Sequence, residues 1–231
     1  MLRLLLVSLC IALFSTSIHA QTITSFQDGP WDQTSTWVGG VVPNSGNSTL
    51  IDIQHSVNVP NTFSVTVDQV SVGINATLTI DAGGTVIVAD DGTGASDLDV
   101  FNDGFDYGFL VVTGTLINNN GATITGTDGT NANFNSGSIY RHLYTTTEGS
   151  VPNASWDVNS TVQIQGYTAA LTATAGGNWG QSFGNFVFNC SSLGTNAFQL
   201  SGLLTDVQND LTISSTGTTG RITSSISLSA K

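Results

Sequence analysis

The densest set of groups able to do chemistry is the run DDGTGASDLDVFNDGFDYG, which places Asp90, Asp91, Asp97, Asp99, Asp103 and Asp106 within seventeen residues. Carboxylate oxygens are hard ligands, and a calcium ion needs about six to eight oxygens around it. Asp97-Leu98-Asp99 followed by Asn102-Asp103-Gly104 approaches a calcium loop, so the metal candidates are Asp97, Asp99, Asp103 and Asp106. The spacing departs from D-x-[DN]-x-[DN]-G because Phe101 stands at the fifth position. Leu98 and Val100 alternate as inward strand residues, which sends Asp97 and Asp99 outward on one face. The stretch therefore reads first as a solvated loop, with calcium as the alternative. No other cofactor is expected.

Other catalytic constellations are thin. His55 and His142 stand apart from any Ser, Cys or second His, so neither a nucleophilic triad nor a zinc site is supported. His142 is expected to stack with Tyr140 and Tyr144, and His55 to sit on or beside a strand. Polysaccharide lyases need a base and a cationic group to deprotonate a uronate. Beyond the N-terminal leader the chain has only Arg141, Arg221 and Lys231. Glycoside hydrolysis needs paired carboxyl groups on one face. Asp90 and Asp91 are adjacent, and adjacent strand residues point oppositely. No catalytic residue is assigned, and the chain is expected not to be an enzyme.

The elements that would carry these residues are short strands. From Leu50 to Thr127 aliphatic doublets recur at Ile51/Ile53, Val57/Val59, Val65/Val67, Val70/Val72, Leu78/Ile80, Val86/Val88, Leu98/Val100 and Leu110/Val112. Members of a doublet leave the same face of a strand. Gly, Asn, Asp and Thr between them turn the backbone, and no helical period intervenes. Related doublets return at about 20 residues, the low end of the solenoid range. The expected fold is all-β, a right-handed parallel β-helix. A β-sandwich fits less well, because it favours longer strands and tight hairpins.

The expected organisation is a signal peptide over 1–20, an N-terminal cap over 21–49, and a continuous β-helix over 50–231 cut short at its C-terminus. In the cap, Trp31 and Trp37 flank a polar turn. They are read as a lid over the first coil rather than as a platform for sugar rings. Leu116 to Gly121 fits a corner with stacked asparagines. Past residue 134 aromatic residues enter, together with Glu148, the sole glutamate. Doublets resume at Val162/Ile164, Phe186/Phe188, Phe198/Leu200, Leu211/Ile213 and Ile226/Leu228, with TAALTATAGGNWGQSFGN as a surface excursion.

Met1-Leu2-Arg3, the apolar run LLLVSLCIALF and Ser17-Ile18-His19-Ala20 form a secretory leader cut after Ala20. The run is too short to span a membrane, so the chain is placed outside the cell, secreted or at the cell surface. Formal net charge is −12, and losing Arg3 with the leader makes it one unit more negative. Such a surface repels phosphate backbones and anionic membranes, so nucleic acid and membrane insertion are excluded as partners. Charged residues are only 9% of the chain, against about a quarter in ordinary proteins. Cys190 alone survives leader removal, so no internal disulfide forms, and it is read as a buried apolar thiol.

GPWDQTSTWVGGVVPNSGNSTLIDIQHSVNV resembles the opening of very large exported bacterial surface proteins, and is similar to the eight-glycine domain of secreted and cell-surface proteins. Tyr140-Arg141-His142, Val151 to Trp156, Ser160 to Gly166, and Asp210 to Ile213 look like a module of the same bacterial proteins. The resemblance covers most of the chain beyond the leader. It implies a parallel β-helix, export, and often a C-terminal sorting domain of the type IX secretion system, which this sequence lacks. It implies no catalytic residues. The expected function is a non-catalytic structural or adhesive surface module, with surface glycans or other cell-surface proteins as partners. The alternative is a polysaccharide-acting hydrolase or lyase, or a carbohydrate-binding module, on the same scaffold.

Overall fold

Alternation of one buried and one outward side chain along four-residue strands leaves a chain two ways to close a core: fold sheets face to face, or wind and stack. The computed structural model describes residues 21–223, and they wind. The expected leader, with Cys10, and the doublet Ile226/Leu228 lie outside the described residues. The strands of the first coils are β1 (Gln21–Thr24), β2 (Gly29–Pro30), β3 (Ser48–Ile53), β4 (Ser56–Val59), β5 (Ser64–Val67), β6 (Val70–Val72), β7 (Thr77–Ile80) and β8 (Thr85–Val88). They are followed by β9 (Leu98–Val100), β10 (Phe109–Val112), β11 (Thr115–Asn119), β12 (Ile124–Thr125), β13 (Ala132–Phe134), β14 (Ile139–Leu143), β15 (Ser155–Trp156) and β16 (Thr161–Gln165).

Three walls result. The first is β1-β3-β6-β9-β12, the second β2-β4-β7-β10-β13-β15, and the third begins β5-β8-β11-β14-β16. Each strand pairs with the strand one coil away, and every strand pairing is parallel. The protein is an all-β parallel solenoid of about eight stacked turns. Every expected doublet from Ile51/Ile53 to Leu110/Val112 points into the bore and is buried. Residues between doublet members, such as Thr66, Thr79 and Ile87, face outward and are half-buried. Corners must pass close under the coil before. A Cβ on Gly114 would run into the carbonyl oxygens of Asp81 and Gly84, so only glycine fits there.

The third wall runs the full length, adding Asn185–Asn189 and Leu211–Ser215. The other two walls break. The first ends at Thr125, and a three-stranded sheet of Leu171–Thr172, Ala197–Gln199 and Arg221–Thr223 follows; the second ends at Trp156, and Ser182–Phe183 pairs with Asp206–Val207 beyond it. The segment expected to be a surface excursion is thus part of the barrel. It supplies two short strands and Trp179, which is fully buried. The asparagine ladder does not form. Asn118 lies on the inward face of β11 and donates to the Tyr140 hydroxyl at 3.1 Å, while Asn120 accepts from the amide of Thr145 in the next coil at 2.9 Å. Of the doublet Leu211/Ile213, Leu211 packs against the core as expected, but Ile213 is 56% exposed.

Candidate functional site

The corner between the third and first walls carries the acidic groups. Each coil must turn there from one strand into the next, and the length of that turn varies. Asp68 and Gln69 make a two-residue turn between β5 and β6, whereas residues 89–97 loop out between β8 and β9. Because β8 ends at Val88, Asp90 and Asp91 are turn residues and the opposed directions of a strand do not apply to them. Their carboxylate oxygens and one of Asp97 all lie within 4.8 Å of one another. Two sequence-based expectations are corrected here. Adjacent Asp90 and Asp91 converge instead of diverging. Asp97 is turned in and only 1% exposed, because it precedes the strand and braces the loop.

The hydrogen bonds show how the corner is held. Asp97 accepts the amide of Asp91 at 3.1 Å and, through its other oxygen, the amide of Thr123 in the next coil at 2.7 Å. Asp91 accepts the amide and hydroxyl of Thr93 at 2.8 and 2.7 Å, and the side-chain amide of Gln69 in the preceding coil at 2.5 Å. Asp90 accepts the amide of Gly92 at 2.7 Å. Asp91 and Asp97 therefore tie three coils together, and Asp90 holds its own turn beside them.

Beside this cluster lies an open groove of about 370 Å³ lined by Ser45, Ser48, Thr49, Asp68, Gln69, Asp91 and Thr93. Its two acids are tuned in opposite directions. Burial, and then the charges of Asp91 and Asp97, raise the Asp68 carboxyl above the usual carboxylate range. Donation from the Thr93 backbone and hydroxyl holds Asp91 below that range. The expectation that the chain is not an enzyme is overturned by this geometry. Three carboxylates that can hold a metal ion, beside a polar groove with a second, differently tuned acid, constitute candidate catalytic or metal-binding machinery.

The remaining candidates are dispersed. Asp99 is on β9 and accepts the Thr125 hydroxyl at 2.6 Å. Asp103 and Asp106 sit at the tip of an excursion at the opposite end of the first wall, where Asp103 accepts the amides of Phe105 and Asp106. Asp97, Asp99, Asp103 and Asp106 thus do not form one calcium loop. Asp68 was missed altogether, since nothing in VTVDQV distinguishes it from any strand-ending acid. Its partners come from the coils before and after it.

Other singled-out residues are structural. Trp31 and Trp37 are buried and meet edge to face at 5.0 Å, each indole N–H donating to a backbone carbonyl, so neither offers a ring face to solvent. His142 stacks on Tyr144 at 4.5 Å, and burial lowers its pKa to about 4. His55 does not stand apart from serine as expected: Ser56 follows it, and its Nδ1 lies 2.9 Å from the Ser25 hydroxyl of the preceding coil. Cys190 is buried, with its thiol pushed up to about 11, which leaves it unreactive. No helix among the described residues is long and apolar enough to cross a membrane. Comparison with family models, curated proteins and solved structures gives no match for this chain.

Proposed function

We propose that this chain is an exported polysaccharide-acting protein whose working site is the acidic corner groove. The observation that supports the reading is the pair Asp68 and Asp91, two carboxyl groups tuned apart on one groove. Glycosidic bonds are cleaved by one carboxyl that keeps its proton and another that stays ionised. Asp68, whose carboxyl pKa is raised by burial, is the candidate for the first role, facing the leaving oxygen. Asp91 takes the second, opposing the charge that develops on the sugar or activating water. The hydroxyls of Ser45, Ser48, Thr49 and Thr93 suit a ligand rich in hydroxyl groups.

A second reading rests on the convergence of Asp90, Asp91 and Asp97. A calcium ion held there would supply the positive charge that three basic residues cannot, and would draw in an anionic glycan such as a uronate polymer. Export rests on the leader read from residues 1–20, and surface glycans remain the proposed partners.

Release of reducing ends from a panel of neutral glucans, xylan and polygalacturonate tests the main reading. Asp68→Asn should lower the rate by about a hundredfold or more, the usual worth of a positioned acid. An unchanged rate in that variant, or no release from any polymer, would sink it. A rise in melting temperature with calcium, lost in Asp97→Asn, would support the second reading.

A further inference from the structure

Most of the large apolar side chains on the surface are scattered, but three of them share one corner. Phe26 (64% exposed), Ile74 (47%) and Phe105 (89%) all lie where the chain passes from the first wall to the second. Phe26 falls between β1 and β2, Ile74 between β6 and β7, and Phe105 between β9 and β10. Hydrogen bonds along the axis keep these turns stacked. The Ser25 hydroxyl meets His55 in the next coil at 2.9 Å, the Gly73 amide donates to Ile53 at 2.8 Å, and the Asn75 amide donates to Tyr107 at 2.8 Å. Coils rise by ~4.8 Å, so the turns that carry the three side chains span ~14 Å along the solenoid axis.

We propose that this corner is a binding track for a neutral, linear polysaccharide. The track starts in a groove of about 560 Å³ where the exposed Phe26 and Val38 stand beside Thr34 and Ser35. It ends at Phe105, whose tip is rigid. Asp103 accepts the amides of Phe105 and Asp106 at 2.9 and 2.8 Å, Asn102 accepts that of Gly104 at 3.0 Å, and Asn102 and Tyr107 bridge its base. Those bonds fix the backbone that carries the ring, so the turn itself loses little freedom when the ring meets a ligand. Ring and aliphatic faces pack on the C–H face of a sugar, and the flanking Asp103, Asp106 and Gln54 accept its hydroxyls.

Charge and shape select this occupant. Among the described residues the basic side chains are Arg141, on β14 of the third wall, and Arg221, in the strand Arg221–Thr223, and neither falls on this corner. The acidic rim repels uronate polymers, phospholipid surfaces and nucleic acid, and two copies meeting here would oppose their own carboxylates. A stable protein interface needs a compact patch of about 800 Å² on each side. Single side chains on three of four successive coils, with Gln54 and His55 at the corner of the β3–β4 coil, suit a chain-like ligand that is met at intervals along its length. The track takes from the proposed function only the class of ligand, and it lies on a different corner from the acidic groove.

Affinity electrophoresis through gels containing hydroxyethylcellulose, laminarin, galactomannan or polygalacturonate tests this. Asp68→Asn protein is used so that turnover does not enter the readout. At least one neutral polymer should retard the protein equally at low and high salt, and the pair Phe26→Ala and Phe105→Ala should weaken retardation at least about tenfold. Val158→Ala, at a different exposed apolar site, should leave it unchanged, and matching melting curves show that the variants are folded. The proposal falls if no neutral polymer retards the protein or if the double variant runs like its parent. Retardation by polylysine alone, abolished by salt and by Phe105→Ala, would overturn it in favour of a cationic protein partner. Reducing-end release from short oligosaccharides reads the acidic groove separately, so either idea can fail without the other.

Discussion

The two halves of the bore solve one packing problem with different materials. From β3 to β12 the interior is mostly Val, Ile and Leu and the three walls stay in register, while the corners vary from the two residues Asp68 and Gln69 to the loop of 89–97. From β13 onward the interior is Phe134, Tyr140, Trp156, Tyr167, Trp179, Phe183, Phe186, Phe188 and Phe198, and only the third wall continues unbroken. Rings replace wall strands as the means of closure. Phe134 stacks on Trp156 at 4.0 Å, and Phe188 on Phe198 at 5.6 Å. Aliphatic side chains of similar volume stack on their counterparts one coil away, so a single rule serves every coil. Large rings fill the bore only in specific orientations, so each aromatic coil is its own solution.

Polar groups enter the bore where the two halves meet, at Asn118 on β11, and continue into the aromatic half. The Asn118 amide donates to the Tyr140 hydroxyl at 3.1 Å, that hydroxyl donates to His142 Nδ1 at 3.1 Å, and His142 Nε2 donates to the Glu148 carbonyl at 2.7 Å. The carbonyl can only accept, so it is Nε2 that carries the imidazole proton. Tyr167 donates to the same carbonyl at 2.7 Å. The Glu148 carboxylate takes the Thr174 amide and hydroxyl, each at 2.7 Å, and the Trp179 indole N–H. One glutamate thereby pins the crossing segment where the first wall has lapsed. A buried network of this kind stabilises only while it is complete.

The comparison is sharpened most by Trp179→Ala. It removes a fully buried ring and leaves the Glu148 carboxylate short of a donor, so denaturant unfolding should show a loss of about 3–5 kcal/mol. A loss below about 1 kcal/mol would mean that the aromatic half closes by other means.

Acid should act next most strongly, and on the same half. The His142 pKa of about 4 lies below its unfolded value near 6.5, so between those values the unfolded chain binds the extra proton. Stability from this group is full above pH 6.5 and is lost as pH falls toward 4, by about 3 kcal/mol at most. His142→Gln should flatten that part of the pH–stability curve. If the slope persists in the variant, surface carboxylates and not the buried imidazole set it.

The smallest effect belongs to the aliphatic half. Ile80→Val removes one methylene from a repetitive interior and should cost about 1 kcal/mol by the same unfolding measurement. A cost as large as that of Trp179→Ala would erase the distinction between the halves.

How much of this could be read beforehand follows the same division. Val86/Val88 and Leu110/Val112 declare themselves, because period-two alternation has one structural meaning once helices are absent. Trp179 did not, since TAGGNWGQ carries glycines that look like a loop and its burial depends on Glu148 thirty-one residues earlier. At the acidic corner, Asp90, Asp91 and Asp97 stood out by their density. Their convergence did not, because it depends on whether Val88 is the last strand residue.

Local alternation and turn residues were therefore enough to settle the parallel solenoid and, in the aliphatic coils, the strand positions and inward face, since there each rests on neighbours within a few positions along the chain. Which acids share a groove, which rings close the wide coils and which apolar residues line up along a corner depended on the lengths of the loops between strands. Those lengths set which coil lies against which. Contacts between residues about 20 to 30 positions apart, such as Gln69 with Asp91 and Asp97 with Thr123, exist only after the coils have stacked.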